Sequence, residues 1–386
     1  VIREDPVRKG LLFVGTQTGI YFSLDDGTSW GPLQQNLPVV PVYDIKVKHG
    51  DLIIATHGRA FWILDDISPL RGLTQEALDA SSHLFSSKVA TRKPVTWWDG
   101  FSGGNPGKNY YLSNGISGTV FYEMGSSNGE QKRRFVEGHP NPPTGPIFYF
   151  LLDDPSKPVT ITVMDMDGQP IQTIRDLKKS VGLNRYVWDM RYPDAAAIAD
   201  RASPNVRPLA KPGKYQVQLE VAGKKQVRTF EIRKNPNAKA TQEDLEAQFA
   251  LWVTIRDKTS QATQTVMKAR KVSKDVQSLM KVAQETKVPN LDKLSDLSGK
   301  IVKQCAEVEK QLAGTAKTPY EQLAEVPGPI AKLQALSQML NGVDAKPTEP
   351  TRDVLKYLSN QVEAQIVILD NLIKSEVATF EKLTKK

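Results

Sequence analysis

The sequence predicts a multidomain chain, mainly β first and α-helical last: partial β-propeller blades, an immunoglobulin-like β-sandwich and a C-terminal antiparallel helical bundle. Three observations predict this order. Residues 1–70 break into short β-branched and aromatic runs separated by glycine turns, and residues 111–235 alternate apolar and polar side chains around tight turns. From Ala240 onward apolar residues instead recur every three or four positions. The first two patterns have the period of strands and the third that of helices.

At 386 residues the chain exceeds what one ordinary core fills, so two or three domains are expected. No apolar run approaches the roughly 20 residues that a membrane helix requires, and no basic-then-apolar leader opens the sequence. The formal net charge of +8 is spread among acidic residues, without a dense basic block or interleaved aromatics, so no nucleic-acid partner is expected. Cys305 is the single cysteine, which excludes an intramolecular disulfide and a multi-cysteine zinc site. Its helical surroundings suit a structural thiol.

In residues 1–70 the runs GLLFVGT, GIYFSL, YDIKVK, DLIIAT and RAFWIL are strand candidates. Val1 to about Trp30 reads as one blade, and Val42 to Asp66 as three strands of the next. The first of these ends in Ser23 to Trp30, SLDDGTSW, the Ser-x-Asp-x-Gly-x-Ser/Thr-Trp hairpin of an Asp-box. Asp25 is placed to accept bonds from its own turn with Ser23 nearby, Gly27 to take a positive φ, and Trp30 to plug the blade edge. A propeller closes with about four to eight blades of about four strands each, and two blades leave both outer faces wet. The remaining blades are therefore expected from a missing N-terminal part or from a second polypeptide.

Residues 71–110 read as a linker, with a short helix over Leu73 to Leu84 and a glycine- and asparagine-rich stretch, DGFSGGNPGKN. That stretch is followed by a tyrosine-containing strand pattern rather than a helix start, so it does not have the context of a phosphate loop. Over 111–235, GTVFYE, IFYFLL, VTITVMD, RYVWDMRY, KYQVQLEV and VRTFEI are strands, with turns at Asp167-Gly168, Pro212-Gly213 and Ala222-Gly223. The Ala-, Pro- and Arg-rich insertion from Tyr192 to Lys211 reads as an exposed loop. Over 241–386, Thr241 is the expected N-cap of a helix carrying Leu245, Phe249, Trp252 and Ile255. The last helix carries a stripe of Leu355, Leu358, Val362, Ile366, Leu369, Ile373, Val377 and Phe380, to be buried inside a bundle of about four helices.

With these motifs in order, VGTQTGIYFSLDDGTSW followed by ATHGRAFWILDD resembles the closing part of bacterial secreted Asp-box (BNR-repeat) propeller proteins, the sortilin-like or glycosyl-hydrolase-like group. GHPNPPTGPIFYFLL, VTITVMDMDGQPIQTI, GLNRYVWDMRYP and PGKYQVQLEV resemble the sandwich that follows the propeller in large members, and the tail beginning TQEDLEAQF resembles their C-terminal extension. The resemblance implies a secreted or periplasmic bacterial protein, about twice this length or more, with any catalytic residues on blades outside this chain.

The chemistry offered by the sequence is sparse. A glycosidase needs two facing carboxylates. The candidates are Asp25, Asp26, Asp44, Asp65 and Asp66, of which Asp25 is assigned to its hairpin and Asp65 and Asp66 to a strand-ending turn. His57 and Arg59, in THGRAFW, sit at a tight turn where side chains could reach a central channel, or where polar groups simply satisfy the turn. His49, His83 and His139 lack metal-site spacing, and no nucleophile elbow or phosphate-loop motif is present; calcium on an Asp-Asp turn stays open, although fewer than the usual six oxygen ligands can be named. No catalytic residue, cofactor or metal is expected. The expected function is therefore a non-catalytic part of an extracellular propeller protein that binds protein or glycan. The alternatives are an accessory part of a polysaccharide-degrading hydrolase and a sortilin-like peptide-binding or assembly factor.

Overall fold

The structure, a computed structural model, describes residues 1–93, 107–113, 117–136, 142–201, 203–286, 288–314 and 326–384. It is a mixed β and α protein, with strands before residue 236 and the long helices after it. The chain divides into two compact units. One gathers Val1–Lys93, Phe101–Met190 and Pro212–Asn235; the other includes Arg191–Lys211 and Pro236–Lys386.

The first unit opens with two small antiparallel sheets. One has the order β1 (Ile2–Glu4), β2 (Leu12–Gly15), β3 (Ile20–Ser23), β4 (Gly31–Pro32), and the other β5 (Val42–Lys48), β6 (Asp51–Thr56), β7 (Phe61–Leu64). They share one core built from Leu11, Phe13 and Ile20 on one side and Ile45, Leu52 and Ile54 on the other, with Trp62 and Leu64 packed against it.

The two sheets repeat each other in detail. The pairs Leu12↔Ser23, Phe13↔Phe22, Val14↔Tyr21 and Gly15↔Ile20 recur as Leu52↔Leu64, Ile53↔Ile63, Ile54↔Trp62 and Ala55↔Phe61. Ile2↔Val14 and Arg3↔Phe13 recur as Ile45↔Ile54 and Lys46↔Ile53. Even the turns correspond: the Thr16 hydroxyl donates to Gly19 O at 3.1 Å, and the Thr56 hydroxyl to Ala60 O at 2.7 Å.

Equivalent residues nevertheless have opposite burial. Phe13 and Ile20 are buried, whereas Ile53 is half-buried and Phe61 exposed; Leu12 and Val14 are half-buried, whereas Leu52 and Ile54 are buried. Because side chains alternate between the faces of a strand, the second sheet must turn its opposite face to the shared core. The sheets therefore stack front to back. A two-fold, face-to-face pair would bury the same positions in both.

Among the described residues, the rest of the first unit contains three sheets. Strand β8 (Ser82–Leu84) pairs with β13 (Ile147–Leu152), which pairs with β16 (Gly182–Val187). A five-stranded sheet runs β15 (Pro170–Ile174), β14 (Val159–Met164), β17 (Gly213–Val221), β18 (Lys224–Arg233), β9 (Ala90–Thr91). These two sheets face each other through aromatic rings, with Phe148 edge-on to Phe230 at 5.0 Å and Trp188 edge-on to the stacked pair Tyr215 and Phe230. The third sheet is β10 (Gly107–Ser113), β11 (Ser117–Ser127), β12 (Glu130–Phe135).

Two readings of the sequence change here. Within 71–110, β8 and β9 belong to the facing sheets rather than to a linker, because Gln226 binds Ser82 O and the Leu84 amide while β9 runs parallel to β18. The helix expected over Leu73 to Leu84 is confined to Gln75–Asp79, capped by Thr74, before the chain turns into β8. The glycine-rich residues 99–106 lie outside the described residues.

In the second unit, Thr241 and Asp244 form a reciprocal capping box at the start of the 44-residue helix Gln242–Glu285. Helices Leu291–Ala313, Pro329–Asn341 and Glu349–Leu372 pack on it and on one another. The predicted stripe is interrupted by a π-turn, Ile373–Val377, so Leu372 rather than Ile373 is buried before Val377 and Phe380 resume the inward face. The segment Tyr192 to Lys211 is not an exposed loop. Its Ile198, Val206, Leu209 and Ala210 are buried, and the Tyr192 ring packs tilted against Phe249 at 4.8 Å.

Candidate functional site

The segment Ser23 to Trp30 forms a tight hairpin between β3 and β4. Asp25 accepts the Ser23 hydroxyl at 2.7 Å, the Ser29 amide at 2.9 Å and the Ser29 hydroxyl at 2.6 Å, and the Gly27 amide donates to Ser23 Oγ at 2.9 Å. Bonds from Ser29 and Ser23 hold the Asp25 carboxyl down to about 2. Asp26 and Gly27 have φ of 58° and 89°, the left-handed region that the Asp-Gly pair supplies. Trp30 stays 40% exposed and folds back so that its indole N–H donates to Gly27 O at 3.0 Å. With both oxygens committed to the hairpin, Asp25 is a structural group.

His57 and Arg59 are both exposed, on the turn joining β6 to β7. The His57 amide donates to Pro41 O at 2.9 Å and its ring lies 5.0 Å from Tyr43, while Arg59 O accepts the Trp62 indole at 2.9 Å. Trp62 thus closes its turn by the same three-residue backward bond that Trp30 makes. Of the other acidic candidates, Asp44 pairs with Arg3 at 2.6 Å across the two small sheets. His83 is half-buried against Phe85, its pKa lowered by burial, and His139 lies outside the described residues. Among the described residues no group of three or more His, Cys, Asp or Glu side chains could hold a metal ion.

Asp65 and Asp66 come together with two residues that the motif reading passed over, Asp51 and Lys88. All four line a cavity of about 340 Å³ at the end of β7, walled also by Pro142, Pro143 and Ile147. Asp51 Oδ1 accepts Lys88 Nζ at 2.6 Å and the Asp66 amide at 2.8 Å. Asp66 is 6% exposed; its Oδ1 accepts the Ser68 amide at 3.0 Å, and its Oδ2 is buried without a hydrogen-bond partner. Burial raises both carboxyls, Asp51 adding to the rise at Asp65 while the Ser68 hydroxyl and amide oppose it at Asp66. The Leu52↔Leu64 pairing brings Asp51 beside Asp65, which spacing alone does not disclose.

The second unit has a smaller cavity, about 240 Å³, where Arg191 lies over the Trp252 ring at 5.3 Å and the indole donates to Ser337 at 2.6 Å. Comparison with protein families, with curated proteins and with solved structures finds no match to this chain.

Proposed function

We propose that this chain is a non-catalytic portion of an extracellular Asp-box propeller protein, and that its two small sheets are blades completed by further blades on another polypeptide segment. The facing sheets would be an immunoglobulin-like sandwich and, with the helical unit, would serve protein or glycan binding. The observation that carries this reading is the front-to-back repeat. A stack in which the back of one sheet meets the front of the next is open at both ends, as heterologous contacts are until a ring closes.

Both ends have the chemistry of faces awaiting a neighbour. The outer face of the second sheet carries Phe61 (76% exposed) and Ile63 (58%), flanked by Ile53 and Ala55. The outer face of the first carries Ile2, Leu12, Val14 and Tyr21. Strand β7 is also a sheet edge, leaving three strands where the equivalent sheet has four. Contiguous apolar side chains beside an open edge favour interaction with another sheet.

Hydrogen exchange tests the reading on assembled and isolated protein. Amides of Phe61–Leu64 become protected on assembly if β7 gains a strand; unchanged exchange there, with β1 and β2 equally unchanged, refutes it.

A further inference from the structure

We infer, resting on the blade reading above, that the neighbour covering Phe61 and Ile63 is the first sheet of a second copy of this chain, so that copies associate head to tail. Within the chain, the face of β2 and β3 that carries Phe13, Ile20 and Phe22 meets the face of β5 and β6 that carries Ile45, Leu52 and Ile54. By register, the outer face of the second sheet repeats the first of these. Ile53, Ala55, Phe61 and Ile63 stand where Phe13, Gly15, Ile20 and Phe22 stand. The outer face of the first sheet repeats the other, with Ile2, Leu12 and Val14 in the places of Ile45, Leu52 and Ile54. The two open faces are thus copies of the two faces that already fit each other.

A chain that carries both faces offers another copy the contact it makes within itself. That contact is heterologous, the back of one copy on the front of the next. A two-fold contact would instead set Phe61 against Phe61, a pairing of like faces that the two sheets do not make. The side chains concerned are apolar on both faces, so burial rather than charge drives the association. Each copy contributes two sheets, and a ring of about four to eight sheets therefore closes with about two to four copies. Ala55 is the one departure from the repeat. An added Cβ at Gly15 would stand 2.5 Å from Val42 Cγ1, so the contact between copies sits wider at this point than the contact inside the chain.

The test is sedimentation of the full chain over a range of concentrations, with Ile2→Lys and Phe61→Lys variants run alone and mixed. The two residues are 57% and 76% exposed, so each variant should melt like the wild type. The wild type is expected to associate with rising concentration into a closed species of about two to four copies. Each variant alone is expected to associate at least about thirtyfold more weakly, since each has lost one of the two faces. An equimolar mixture is expected to recover a 1:1 complex and nothing larger. The intact face of one variant meets the intact face of the other once, and the two lysine-bearing faces repel. A wild type that stays monomeric, variants that associate as the wild type does, or a mixture that forms no complex would overturn the inference. Hydrogen exchange in the assembled native protein separates this failure from failure of the blade reading. Protection of Phe61–Leu64 beside a monomeric full chain means that a different segment covers the face, and absence of protection removes both.

Discussion

Phe61 occupies in β7 the place that Ile20 occupies in β3, yet Ile20 is 0% exposed and Phe61 76%. The same position in a repeated sheet is a core residue in one copy and a surface residue in the other. Ile20→Ala should therefore cost about 2–5 kcal/mol in the isolated protein. Phe61→Lys should change its stability by less than about 0.5 kcal/mol while preventing assembly with the neighbouring sheet. Denaturant melts of both variants, beside a sedimentation assay of assembly, check the contrast.

Gly15 and Ala55 make a second such pair. A Cβ on Gly15 would stand 2.5 Å from Val42 Cγ1 and 2.8 Å from Val42 Cβ, so the two sheets meet closely at this glycine. Gly15→Val should destabilise by about 1–3 kcal/mol through overpacking. Ala55→Val, on the outer face, should leave the isolated protein's melting temperature essentially unchanged.

Acid should loosen the hairpin that Asp25 holds. Asp25 titrates near 2 when folded, below the ordinary carboxylate value of 3.8. A lowered folded pKa gives stability that is present above the unfolded value and lost as pH falls through the folded one. The hairpin contribution should accordingly decline between about pH 4 and pH 2. Asp25→Asn should lower the melting temperature at pH 7 and flatten that part of the pH profile; an unaltered profile would contradict the role given to Asp25.

Asp5 and Arg71 tie the start of the first sheet to the short helix Ser68–Gly72 that follows β7. Arg71 Nε and Nη2 both reach the fully buried Asp5 side chain, with Nη2 at 2.8 Å, and the Val7 and Arg8 amides bond to it as well. Burial pushes the Asp5 carboxyl up, but the Arg71 and amide bonds together hold it below the ordinary value. Arg71→Ala strands that carboxylate and should cost about 3–5 kcal/mol. Asp5→Asn, which keeps an acceptor, should cost less, as measured by denaturant unfolding at pH 7.

Cys305 should resist modification. It is buried in the helix Leu291–Ala313, and burial pushes its thiol up to about 11. A thiol reagent at pH 8 should label it only at the rate of unfolding, and rapid labelling of the native protein would contradict its structural role.

The strands were legible because alternation and turn chemistry are local. SLDDGTSW specified its own hydrogen bonds, and Thr241 with Asp244 specified a helix start. What the sequence concealed depended on register or on distant partners. The backward bond from the Trp30 indole to Gly27 O, repeated by Trp62 to Arg59 O, carries no signal in the spacing. β8 and β9 looked like linker because strands of two or three residues carry too little periodicity to be read. Asp51 and Lys88 joined Asp65 and Asp66 only after strand pairing, and the burial of Val206 and Leu209 was hidden by the polar composition around them.

The most direct measurement is site-specific photo-crosslinking from position 63, with a benzoyl-phenylalanine replacing Ile63 in the assembled protein, and mapping of the adduct. The account predicts a crosslink to a strand of a neighbouring sheet whose alternate residues are apolar, and its loss on adding Phe61→Lys. An assembled protein that yields no adduct from position 63, or one insensitive to Phe61→Lys, would contradict the claim that this face is built to be covered.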